Sequence, residues 1–109
     1  MIKNLTPHAV RIMFSDGTER VYASDGLARV GYESVVVDQI DGVEVVRITY
    51  GAVEGLPEPD GETYYIVSQL TAAAARQNGR SVDDLLLTAD LVRDDQGRIV
   101  GCRQFARID

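Results

Sequence analysis

The run Tyr50-Gly51-Ala52-Val53-Glu54-Gly55-Leu56-Pro57-Glu58-Pro59-Asp60-Gly61 most limits how this chain can fold. Three glycines and two prolines in twelve residues exclude an ordinary helix or a central strand, because proline lacks the ladder donor and glycine frees the backbone. The run reads as one shaped loop between a strand-rich first half and a second half that holds the only helical pattern. A chain of 109 residues supplies one core, so residues 1–109 read as a single domain.

Ahead of the loop, Pro7 pushes Thr6 toward extended geometry, and Ala9 to Phe14 alternates with Val10, Ile12 and Phe14 on one side. Ser15-Asp16-Gly17-Thr18 is turn chemistry, and Glu19 to Ala23 returns as the second strand of a hairpin. Leu27 to Tyr32 reads as a short strand or an extended connection. Ser34 to Tyr50 is the clearest hairpin, because Asp41-Gly42 suits a two-residue type I′ turn. That turn predicts Ile40 opposite Val43, Val37 opposite Val46 and Val35 opposite Ile48, a side expected to face the core. Asp38, Val45, Arg47 and Thr49 fall on the other side.

Beyond the loop, Tyr64 to Val67 is a short buried-looking strand, and Ser68 caps a helix from Gln69 to Asn78. Ala72 to Ala75 favour that helix and Gly79 stops it. Ser81 to Asp84 has capping-box spacing and leads, as a turn, into a strand over Leu85 to Thr88. Ala89 to Arg93 and Arg98 to Ile108 form a last hairpin about Asp94-Asp95-Gln96-Gly97. The fold class is therefore α+β, a mostly antiparallel sheet of hairpins with one short helix, about 69–78, packed on it.

Several function classes fall away. A net charge of −6 argues against duplex nucleic acid and anionic membranes, both of which select basic faces. No apolar run approaches a membrane span, Met1 to Asn4 lacks a leader's apolar core, and the single Cys102 fits a reducing, cytoplasmic setting. There is no zinc pattern, calcium loop or nucleotide fingerprint, so neither metal nor cofactor is expected. Cys102 and His8 are the one conceivable nucleophile and base, but Cys102 falls on the predicted core side and no catalytic residue is assigned.

The last strand offers the best ligand surface. Val100, Cys102, Ala106 and Ile108 are expected in the core, which turns Gly101, Arg103, Phe105 and Arg107 outward. Phe105 between Arg103 and Arg107 suits a base and a phosphate or carboxylate; Arg47, Tyr50 and Tyr65 are the further candidate contacts. The plainer alternative is a solvated face with Phe105 covered by the helix or a second subunit.

Asn4-Leu5-Thr6-Pro7-His8-Ala9-Val10, the Tyr50-Gly51 and Val53 to Pro59 block, Tyr65 to Ser68, and Arg93-Asp94 with Gly97 to Gly101 together resemble a family of small uncharacterised proteins of phages and prophages. The resemblance implies a setting, the host cytoplasm, and no reaction. Phage proteins that sequester nucleotide signals of host defence are commonly oligomers with arginines and aromatics at subunit junctions. The expectation is thus a non-enzymatic, homo-oligomeric binding protein for a small anionic ligand such as a cyclic nucleotide or an ADP-ribose derivative. The alternative is an adaptor or inhibitor that docks a protein through the Pro57–Pro59 loop.

Overall fold

The Ser68 hydroxyl accepts the Thr71 amide at 3.1 Å and starts helix α1, Gln69–Gln77, in the computed structural model, which describes residues 1–108. The other end closes as a Schellman motif: the Gly79 amide donates to the Arg76 carbonyl and the Arg80 amide to that of Ala75. Gly79 sits at φ +84°, which a glycine adopts without strain. Ala72, Ala74 and Ala75 are fully buried, so the helix backbone lies close to the layer beneath it. Asn78 caps α1 and donates through Nδ2 to the Gly51 carbonyl at 2.9 Å, tying the helix end to a distant strand.

Among the described residues eight strands accompany the helix: β1 Ile2–Asn4, β2 Val10–Met13, β3 Glu19–Tyr22, β4 Arg29–Ile40, β5 Val43–Glu54, β6 Tyr64–Ile66, β7 Leu85–Arg93 and β8 Ile99–Ala106. Six build one sheet in the order β1-β6-β7-β8-β2-β3, while β4 and β5 form a separate two-stranded ribbon. The α+β class and its three hairpins stand as expected. The large sheet is mixed, however: β1 with β6, β6 with β7, and β2 with β8 run parallel. A parallel neighbour needs a crossover, and α1 provides it between β6 and β7.

The boundaries shift for physical reasons. The loop expected over 50–61 begins only at Gly55, because Tyr50 to Glu54 still pair with β4. The Leu85–Thr88 strand and the one after it are a single element, β7. In the ribbon the Asp41-Gly42 turn does set Ile40 opposite Val43. A bulge at Val37 then moves Val36 opposite Val46, Val35 opposite Arg47 and Ser34 opposite Ile48, one step from the expected pairs.

The core lies between α1 and the β1-β6-β7 part of the sheet, with Leu5, Ala28, Tyr65, Val67, Ala72, Ala75, Val82 and Leu85 buried together. Leu56 and Val53 cover its flank, so the glycine-proline loop is anchored. At Gly55, φ is +79° and an added Cβ would stand 2.4 Å from the Leu27 carbonyl oxygen, which is why only glycine fits. Arg80 closes the loop from the other side, donating to the Pro57 carbonyl at 2.7 Å while it grips both carboxylate oxygens of Asp84 at 2.9 Å.

Asp60 holds the loop's second turn. The amides of Glu62 and Thr63 and the Thr63 hydroxyl all donate to its carboxylate, which holds its pKa at about 2 against an ordinary 3.8. A carboxylate with a lowered folded-state value adds stability that is complete above its unfolded value and is lost as the pH falls through the folded one. Asp16 and Asp94, lowered by donors from Thr18 and Arg98, act in the same direction. Acid unfolding of Asp60→Asn, followed by circular dichroism, is expected to show a shallower loss between about pH 4 and about pH 2 than the parent.

Candidate functional site

Asp41 at φ +51° and Gly42 at φ +79° make the tight turn that sends β5 back along β4. Each strand has twelve residues, so the ribbon is an arm about 40 Å long at ~3.3 Å per residue. Its base is fixed by the Asn78–Gly51 bond and by Val53 in the core. The outer part is covered by nothing among the described residues: Tyr32 is 64%, Val36 53%, Ile40 58% and Val43 65% exposed. The face expected to be core is a surface. The radius of gyration, 16.5 Å, exceeds the roughly 13 Å of a compact chain of this length, as a projecting arm requires.

Pairing sorts the arm's side chains. Tyr32 with Tyr50, Ser34 with Ile48 and Val36 with Val46 share one face, five of the six apolar. The opposite face carries Val43, Val45, Arg47 and Thr49 of β5. From Val43 to Tyr50 the outer edge of β5 contains no bulge and no proline, so its free amides and carbonyls form a regular pairing template. A lone two-stranded hairpin is marginal in water, and this one leaves most of its aliphatic side chains exposed.

The large sheet carries a second feature, a cleft of about 470 Å³ between β2 and β8. Val10, Val21, Leu91, Ile99 and Val100 make it mostly apolar; His8, Arg11 and Thr88 supply polar groups. Arg11 is already paired with Glu19 at 2.6 Å. Cys102 lines the cleft from beneath, 2% exposed, and burial raises its thiol pKa, which keeps it protonated and unreactive.

The six residues singled out in the sequence do not form one site. Arg103 and Arg107 are exposed on and just after β8, and neither side chain makes a hydrogen bond or ion pair among the described residues. Phe105 is half-buried against Tyr22, ring centroids 6.1 Å apart and tilted by 53°, so part of its stacking face is used within the chain. Arg47 and Tyr50 belong to the arm, in the other sheet. Tyr65 is core, 4% exposed between β1 and β7, and is removed from any surface site. The last strand alternates only in part: Cys102 is buried as expected, whereas Val100 is 41% exposed.

No helix of the described residues is long and apolar enough to cross a membrane, and no three metal-ligating side chains cluster among them. The chain matches no protein-family model, no curated protein and no solved structure.

Proposed function

We propose that this chain is a non-enzymatic protein-protein interaction module whose binding element is the β4–β5 arm. One observation carries the reading: a ribbon of twelve-residue strands that exposes most of its aliphatic side chains and both of its edges. Docking moves from the Pro57–Pro59 loop to the arm, because Leu56 packs on the core and Arg80 holds the Pro57 carbonyl. The buried, protonated Cys102 supports binding over turnover. In the phage or prophage setting that the sequence motifs resemble, such a module engages a host or phage protein.

Lysines at Val36 and Ile48, on one face of the arm, test this. The double variant V36K/I48K is expected to keep its circular dichroism and melting temperature, because both side chains are exposed already. It is expected to lose at least about tenfold in affinity for any protein that the parent binds stoichiometrically, or about 1.4 kcal/mol. Unchanged affinity would place the working surface elsewhere.

The cleft between β2 and β8 supports a second reading, a small-molecule site with an apolar floor and His8, Arg11 and Thr88 at its margin. Thermal unfolding against linear and cyclic nucleotides and ADP-ribose derivatives checks it. A clear upward shift for one class, abolished by Thr88→Ala or Arg11→Ala, supports the cleft, and a flat panel rejects it for those ligands.

A further inference from the structure

Taking the arm as the binding element, we infer that its partner is a second copy of this chain, and that two copies exchange arms reciprocally, each laid along β8 and the apolar cleft of the other. The chain presents both halves of the contact. Val21, Leu91, Ile99 and Val100 line the cleft and are each about half exposed, so the six-stranded sheet offers an apolar seat as bare as the arm's own stripe.

Charge selects the same pairing. Residues 38–44 at the arm tip carry Asp38, Asp41 and Glu44 and no cation. Residues 98–107 along β8 carry Arg98, Arg103 and Arg107 and no carboxylate. Arg98 is engaged by Asp94 at 3.0 Å, while Arg103 and Arg107 face solvent without a partner among the described residues. An acidic tip seated beside those two arginines joins two unpaired sets that one molecule already owns; tip against tip would oppose like charges.

Area decides for reciprocity. The outer eight residues of each strand make a face of about 26 by 10 Å, roughly 260 Å². One seated arm thus removes roughly 520 Å² in total, the scale of an incidental contact. Two exchanged arms remove roughly 1,040 Å², the level at which a specific interface becomes tenable, and close as a two-fold pair with no arm left free.

The test mixes two single-cysteine proteins, one V46C, on the arm's apolar stripe, and one V100C, both also carrying C102A so that no other thiol is present. Under mild oxidation the mixture is expected to give a disulfide-linked heterodimer, and light scattering of the unmodified protein a mass near twice 11.9 kDa. Arg103→Glu with Arg107→Glu is expected to weaken the dimer at least about tenfold and to regain affinity for a partner copy whose Asp38 and Glu44 are lysines. A dimer with no arm-to-cleft cross-link overturns the exchange. A monomer whose arm still binds a different protein overturns the second-copy partner and leaves the interaction reading standing; a monomer in which V36K/I48K changes no binding removes both.

Discussion

Replacement of Asn4 by alanine is expected to cost about 3 to 5 kcal/mol, more than any surface change in the chain. The side chain is 1% exposed and uses every group it has. Its Nδ2 donates to the His8 carbonyl at 2.8 Å and the Tyr22 carbonyl at 2.9 Å, while its Oδ1 accepts the Thr6 amide at 3.0 Å and the Thr6 hydroxyl at 2.6 Å. One residue thereby joins β1, the turn that enters β2, and the end of β3. Alanine leaves two carbonyls and an amide without that partner, each worth about 1 to 3 kcal/mol when buried, with incomplete additivity. At ~4 to 8 °C per kcal/mol the melting temperature falls by more than ~12 °C. Asn4→Asp sharpens the test, because at neutral pH it sets a carboxylate against two carbonyl oxygens. Its melting temperature is expected to recover in part on acidification, when a protonated carboxyl regains one donor. A loss under about 1 kcal/mol for Asn4→Ala would show that the segment is held by Leu5 alone.

The second large effect is expected at Asp84. Arg80 and Asp84 are 12% and 13% exposed and joined by two 2.9 Å bonds. Arg80 Nε is buried and has no acceptor among the described residues, so this guanidinium is poorly placed to lose another. Asp84→Ala strands a cation in the interior and is expected to cost about 3 to 5 kcal/mol by chemical unfolding. It also frees the loop that Arg80 holds at Pro57, so limited proteolysis is expected to cut between residues 55 and 63 faster. Arg80→Met combined with Asp84→Leu is expected to be less destabilised than Asp84→Ala alone, because no charge then remains buried. Equal losses in the two proteins would mean that the Pro57 contact, and not the ion pair, carries the energy.

Local chemistry was legible wherever neighbours in sequence decide it. Ser68 and Gly79 bound the helix, and Asp41-Gly42 sets the hairpin turn, because caps and tight turns are satisfied within a few residues. What Asn4 does was not legible, since Tyr22 and His8 meet it only after the sheet is assembled. The parallel pairs were missed for the same reason: Ile2 to Asn4 is too short to show alternation, and β2 beside β8 follows from no turn. Ser81 to Asp84 has a capping pattern, yet Asp84 spends its carboxylate on Arg80.

The arm was misread because valine-rich alternation reports that a face avoids water, not what covers it. One short helix is available as a cover, and α1 spends its alanines on the six-stranded sheet and the arm's base. A count of covering elements against apolar strand faces would have exposed the shortage. For the candidate ligand site, residue type pointed to Arg103, Phe105 and Arg107, but convergence with Arg47, Tyr50 and Tyr65 was a statement about strand order. That order put them in two sheets and one core.

The order of strands also sets when the protein can exist during its synthesis. Ile2 pairs with Tyr64 and Ile12 with Cys102, so β1 and β2 leave a ribosome well before the strands they pair with. The arm closes on itself about one turn, so its pairing waits for no later strand, although Asn78 and the core fix its base only afterwards. A nascent chain therefore displays its hairpin before it owns a sheet, and release of residues 99–106 is the event that turns two loose ends into one body. Chains cut short ahead of β8 keep the arm and its base but leave β2 and β3 without the strand that joins them to β7.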